Sequence, residues 1–146
     1  MSDNIGGISL ASYCFVDDIL SCAVLKNGIA VNFKKNKFWV EFNASLGNID
    51  ISVQENEVNG TSLFNVDGKI RCPRQKFEKV TEMNIPSGKR ILLKYNTING
   101  DILVAGDSEN TIKVTAKILN PKDASGYSGV EYALVGTMKH AELPLL

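Results

Sequence analysis

The sequence lacks most of the features from which a function can be inferred directly. Its 146 residues include one histidine, His140, and sixteen basic residues balance sixteen acidic ones. A zero net charge creates no global field that would draw the chain to nucleic acid or to an anionic membrane surface. No apolar stretch approaches the roughly 20 residues that span a bilayer, and no signal-like segment opens the chain. We therefore expect a protein made in the cytoplasm without membrane insertion.

Catalytic motifs are also missing. His140 would have to serve any Ser-His-Asp or Cys-His arrangement, but it lies in a polar tail, and no nucleophile occupies a Gly-x-Ser-x-Gly turn. Ser87-Gly88-Lys89 lacks the earlier glycine of a phosphate loop, and the polar turn at 106–110 lacks the closing glutamate of a calcium loop. We therefore expect no enzyme activity, no cofactor and no small-molecule substrate.

Cysteine usage leads to a similar conclusion. Cys14, Cys22 and Cys72 are odd in number and show no Cys-x-x-Cys spacing, so neither a disulfide framework nor a zinc site is indicated. Small buried thiols are the expected role.

What the sequence does contain is apolar residues at every second position, the periodicity of half-buried strands. Asn-Gly pairs at 27–28, 59–60 and 99–100 are typical of tight hairpin turns. Strands are predicted, besides the hairpin described next, at Ile8–Phe15, Ala23–Leu25, Ile29–Phe33, Lys37–Phe42, Arg90–Tyr95, Ile102–Ala105, Thr111–Leu119 and Val130–Val135.

A long hairpin spans residues 49–70. Ile49, Ile51 and Val53 share one face, but the apolar character then fades before the turn at Asn59-Gly60. The base of the hairpin is predicted to belong to a sheet, and its polar tip is predicted to protrude.

Two further segments complete the prediction. Phe38 and Phe42 alternate with Trp39, so the strand Lys37–Phe42 is expected to be covered on both faces, with Trp39 a candidate for a subunit interface. One short helix is predicted at Pro73–Met83. The predicted fold is a mainly β single domain over residues 1–146, an antiparallel β-sandwich or squat β-barrel with one flanking helix and a protruding hairpin.

The segments "IGGI", "KFWVEF", "GKRILLKYNTINGDILVAGDSENTI" and "SGYSGVEYALVGT" resemble small proteins encoded by phages and prophages of gut bacteroidetes. The order of elements is similar to that of phage tail tube proteins, in which a β-sandwich or barrel carries one helix and an extended hairpin that reaches the neighbouring subunit or ring. The resemblance implies a virion structural protein, a tail tube subunit or a related tail or head-tail component, that acts by forming homo-oligomeric rings.

Under this hypothesis the partners are other copies of the chain and other virion proteins, with no specific nucleic-acid sequence. The N-terminal segment and the apolar tail at Leu143–Leu146 would be further interaction segments. The residues expected at contacts between subunits are Gln54, Glu55, Asn56, Glu57, Asn59, Gly60, Thr61, Trp39, Leu145 and Leu146. The alternative is a soluble β-sandwich module that binds a carbohydrate or a protein through Trp39 or loop aromatics.

Overall fold

The computed structural model describes residues 7–42, 44, 47–73, 88–119 and 129–146, and almost all regular structure in these ranges is strand. A short 3-10 turn at Val16–Asp18 is the exception there. The strands are β1 (Ile8–Phe15), β2 (Ile19–Leu25), β3 (Gly28–Phe33), β4 (Val40–Glu41), β5 (Ile49–Val58), β6 (Thr61–Pro73), β7 (Arg90–Thr97), β8 (Ile102–Ala105), β9 (Ile112–Leu119), β10 (Gly129–Met138) and β11 (Leu143–Pro144).

Within the described ranges, nine of these strands form one antiparallel sheet. Its order is β11-β8-β7-β9-β10-β6-β5, with β1 on the other edge of β7 and β4 beside β1. β2 and β3 pair with each other as a separate hairpin. The prediction of a mainly antiparallel β fold is thus confirmed, with open sheets. The predicted helix lies outside the described residues, except for Pro73, which ends β6.

The alternation that predicted strands builds a main core on one face of the sheet. β1 and β7 both contribute side chains to this core, because the side chains of antiparallel register partners lie on the same face of a sheet. Tyr13 of β1 and Leu93 of β7 are such a pair. The ring of Phe42 lies 4.8 Å from that of Tyr13 and 5.4 Å from that of Tyr132. Other buried members are Ala11, Ile49, Val66, Ile70, Ile91, Tyr95, Ile112, Val114, Val130, Leu134 and Met138.

A second, smaller cluster occupies the opposite face of β7. Cys14 and Leu92 are register partners on that face, and the β2–β3 hairpin covers them with Ile29. Leu92 and Ile29 are fully buried. β7 is therefore apolar on both faces, which explains why its sequence reads Ile91-Leu92-Leu93 without alternation.

The strand predicted at Lys37–Phe42 is shorter and less covered than expected. Within the predicted range only Val40–Glu41 form a strand, β4, which pairs with two residues of β1. Phe38 is 74% exposed, so the expectation that both faces are covered is wrong. Phe42 is buried beyond the strand end, where its backbone N–H donates to the carbonyl of Ala11 at 2.9 Å. The reason is that β4 is a two-residue edge strand, too short to hold a full alternating face.

Candidate interaction surface

The β5–β6 hairpin is regular over its whole length. Its ten antiparallel pairs run from Ile49 opposite Ile70 to Val58 opposite Thr61. At the turn, φ is 52° for Asn59 and 80° for Gly60. Two consecutive residues of positive φ define the type I′ turn, whose twist matches that of the strands. The Asn-Gly turn predicted from the sequence is confirmed here.

The tip of this hairpin extends past the body of the sheet. β10 supports β6 as far as the pair Met138 and Phe64. Thr61–Leu63 and their partners Asn56–Val58 continue beyond that pair. Every residue from Gln54 to Ser62 is exposed. The structure therefore brings Asn56, Glu57, Asn59, Gly60 and Thr61 together at the projecting end, and Gln54 and Glu55 lie next to them in the last two rows that β10 supports.

The character of the core-facing side of β5 changes along the strand. Ile49 is buried, and Ile51 and Val53 pack against the main core. The same face continues through Glu55 and Glu57, which are exposed. Oε1 of Glu55 accepts a hydrogen bond of 3.0 Å from Oγ of Ser62 on the opposite strand. The tip thus presents carboxylates where the base presents hydrophobic side chains.

β5 also has an outer edge with which no strand in the described ranges pairs. The N–H of Arg71 donates to the carbonyl of Asn48 at 2.9 Å. Since this bond continues the register of the hairpin, the even-numbered residues of β5 are the ones whose backbone groups bond to β6. By the alternation of antiparallel pairing, Val53, Glu55 and Glu57 direct their N–H and C=O groups to the outer edge. An edge of this kind can template the addition of another strand.

Trp39 lies elsewhere, in the second cluster. Its ring is perpendicular to that of Phe33, with centroids 5.5 Å apart, and Nζ of Lys94 lies 5.4 Å from its centroid. The indole is half-buried. Packing and a cation–π contact within its own chain thus account for much of its surface.

The C-terminal tail is also docked on its own chain. Leu143 pairs with Val104, and the N–H groups of Leu145 and Leu146 donate to the carbonyls of Ile102 and Ile29 at 3.1 and 3.0 Å. Leu143 and Leu145 pack against the second cluster, whereas Leu146 remains 60% exposed. The tail was expected to be an apolar end left for a neighbouring copy. Because β11 extends the edge of β8, most of that apolar surface is already covered.

A polar cluster that the sequence analysis missed holds this tail in place. Nε2 of His140 lies 2.9 Å from Oδ2 of Asp107, and its Nδ1 lies 2.7 Å from the carbonyl of Ala141. Oδ1 of Asp107 accepts from the N–H groups of Glu109 and Asn110, both at 2.8 Å. Both ring nitrogens face oxygen atoms, so the tautomer of His140 decides which of them donates.

Asp107 is buried, and its surroundings favour the charged form. Burial acts to raise its pKa, but hydrogen bonds from His140, Asn110 and Glu109 outweigh burial, so the pKa of Asp107 is lowered from its ordinary value. An Asx-type turn at Asp107 could have been inferred from the polar run 107–110. The contact to His140, 33 residues away, has no local sequence signal.

The cysteines have protected thiols. Cys14 and Cys72 are buried and Cys22 is partly buried, in agreement with the expectation of small buried thiols. Burial raises the pKa of Cys14 to about 12 and also raises that of Cys22. Among the described residues, no three His, Cys, Asp or Glu side chains are grouped so that they could hold a metal ion.

An open cleft of about 700 Å³ lies where the β1–β2 corner meets the β8–β9 turn. Its lining carries charges of both signs, with Asp17 and Glu109 facing Lys89 and Arg90. This mixture of charges does not select one class of ligand.

No family model, curated protein or solved structure matches this chain. In the part of the chain that the structure describes, no helix is long and apolar enough to cross a membrane.

Proposed function

We propose that the chain is a bacteriophage virion structural protein that acts by assembling with copies of itself into rings, as a tail tube subunit or a related tail or head-tail component. The observation that carries the proposal is the β5–β6 hairpin, whose tip projects beyond Met138 and whose outer edge pairs with no strand among the described residues. The same proposal includes location in the virion and contacts with other virion proteins. It also includes a single domain with a sandwich or squat-barrel fold and a short helix.

The physical argument concerns the edge of the sheet. An exposed strand edge is a hazard for a monomer, because any other chain with a free edge can pair with it. A subunit that pairs this edge with a copy of itself removes the hazard and gains backbone hydrogen bonds. When the rotation between copies closes, such head-to-tail contacts produce a ring.

The alternative function, a binding module for a carbohydrate or a protein, needs an accessible aromatic contact. Trp39 and loop aromatics were the candidates. The ring of Trp39 packs against Phe33 and Lys94, whereas Phe38 is 74% exposed outside any strand. The hairpin has no role in that alternative, so we favour assembly.

The test is the oligomeric state of the full chain, measured by size-exclusion chromatography with light scattering over a concentration series and by negative-stain microscopy. We expect rings or tubes. A chain that stays monomeric at the highest concentration and binds glycans would overturn the proposal.

A shortened hairpin links the outcome to this surface. Removal of Glu57, Val58, Thr61 and Ser62 joins Asn56 and Leu63, which are hydrogen-bonded register partners, through the same Asn59-Gly60 turn. The variant keeps the supported part of the hairpin and should fold. We expect it to lose assembly, whereas retention of full assembly would contradict a role for the tip.

A further inference from the structure

Charge is segregated along the chain, although the total is zero. Residues 26–37 contain Lys26, Lys34, Lys35 and Lys37 and no acid, while residues 38–68 contain Glu41, Asp50, Glu55, Glu57 and Asp67 and no base. Three of the four lysines, Lys34, Lys35 and Lys37, lie in the turn after β3, and two of the acids lie near the hairpin tip. The separation gives the molecule two oppositely charged surfaces.

The basic surface is a defined turn, residues 34–37, which we call the lysine turn. The N–H of Lys37 donates to the carbonyl of Lys34 at 3.1 Å, and Asn36 adopts a positive φ of 65°. The N–H of Lys34 donates to the carbonyl of Asp18 at 2.9 Å, which anchors the turn to the end of the 3-10 turn Val16–Asp18. Lys34 and Lys35 are exposed, whereas Nζ of Lys37 lies 3.9 Å from Asp18.

The acidic surface is the core-facing side of the hairpin tip, with Glu55 and Glu57 exposed. Glu57 lies beyond the last pair that β10 supports, and Glu55 lies in that pair opposite Phe64. A partner that approaches the tip therefore meets two carboxylates together with the edge of β5, with which no described strand pairs. The acidic character and the unpaired edge are separate observations on one surface.

The two surfaces lie at different levels along the strands. One row of register partners crosses the sheet through Ser52, Asp67, Val135, Lys113 and Arg90. The hairpin turn lies seven residues after Ser52, about 20 Å beyond this row at the rise of a β-strand. β1 runs in the opposite direction and passes Phe15, opposite Ile91, on its way to Asp18 and the lysine turn. Asp18 follows Phe15 by only three residues, so the lysine turn lies near the level of this row, and the tip lies about 20 Å from it along the strands.

We propose that the hairpin tip of one copy docks on the lysine turn of the next copy, in a head-to-tail contact in which Glu55 and Glu57 face Lys34 and Lys35. The inference rests on the proposed function and names the surface that receives the hairpin. Opposite charges on separate parts of the molecule favour this orientation, because copies that meet tip to tip bring like charges together. A heterologous contact of this kind repeats from copy to copy and produces a stack or a ring.

Such a contact has an ionic-strength signature. Exposed charges are screened over about 10 Å at 0.1 M salt and over about 3 Å at 1 M. We expect the concentration at which half the chains assemble to rise about tenfold between these salt concentrations.

The decisive experiment is a charge exchange between the two surfaces, read out by light scattering at about 0.1 M salt. We expect E55K/E57K and K34E/K35E each to remain monomeric at concentrations at which the natural chain assembles. The variant with all four substitutions keeps zero net charge and should assemble again. An equimolar mixture of the two double variants should also assemble, because each supplies the surface that the other has lost. K113E/K117E, on exposed positions of β9, is the matched charge control and should assemble normally.

The outcomes separate this inference from the proposed function. If the natural chain assembles but neither double variant weakens assembly, the docking surface is wrong and the assembly function stands. If both double variants lose assembly, and neither the four-site variant nor the mixture of the two double variants assembles, the pairing of these two surfaces is also wrong. A natural chain that never assembles would overturn both proposals. Circular dichroism of each variant checks that it has folded.

Discussion

Nε2 of His140 lies 2.9 Å from Oδ2 of Asp107 and joins the connection between β10 and β11 to the turn between β8 and β9. Next to this contact, the N–H of Gly106 donates to Sδ of the buried Met138 at 2.8 Å. The end of the chain is therefore fastened by side-chain contacts as well as by the pairing of β11 with β8. This fastening makes the tail part of the folded body.

The lowered pKa of Asp107 predicts a pH dependence of stability. Because the folded state holds the carboxylate more tightly than the unfolded state does, its contribution is fully present above the ordinary carboxyl pKa of 3.8 and is lost as the pH falls through the lower folded value. Urea unfolding of the natural chain and of D107N tests this sign. At pH 7 we expect D107N to be less stable by about 1–3 kcal/mol. The gap should narrow below about pH 4, and a gap that widened there would contradict this assignment.

His140 is predicted to protect the tail from local opening. In H140A the acceptors on Asp107 and Ala141 lose their partner, so the pairing of β11 should open more often. Hydrogen exchange of the amides of Leu145 and Leu146 measures this opening. We expect faster exchange at these two amides than in the natural chain, and no change at the core amides of β7. K139A, one residue away, is the control and should leave exchange unchanged.

Leu92 tests the second cluster independently of the main core. Its side chain is fully buried against Cys14, Ile29 and Val104. L92A should cost about 2–5 kcal/mol, the range for removing a buried leucine side chain. L20A serves as the comparison, since Leu20 is 70% exposed and should cost little. Chemical denaturation gives both values. Equal losses for the two variants would show that the second cluster contributes no more than an exposed position.

The elements that the sequence predicted well are those defined by local pattern. β1 was predicted at its observed bounds, Ile8–Phe15, because apolar alternation is a property of the strand itself. The turn at Asn59-Gly60 followed from the need for two positive φ angles. At 27–28 and 99–100, however, only the glycine adopts a positive φ, so the same dipeptide forms other turns there.

The elements that were predicted poorly depend on contacts between distant segments. Phe38 alternates as a core residue would, yet no described strand covers it, and it is 74% exposed. The tail looked like a free apolar end because the edge of β8, which receives it, lies about forty residues earlier in the chain. The contact between Asp107 and His140 forms only when β10 has paired and brought both turns together. Such relationships are set by topology, which a single local pattern does not encode.

The outer edge of β5 gives the sharpest prediction for assembly. The N–H of Glu55 points away from β6, so E55P removes no backbone hydrogen bond within the hairpin, and proline is tolerated at such edge positions. The side-chain bond from Ser62 to Glu55 is lost in E55P and in the control E55T alike. The variant should keep the stability of the natural chain within about 1 kcal/mol, yet lose the ability to pair this edge with another copy. E55T removes the same carboxylate, keeps the N–H and provides the matched control. Light scattering should show a larger loss of assembly for E55P than for E55T. Equal losses would mean that the carboxylate alone, without backbone pairing along β5, carries the contact.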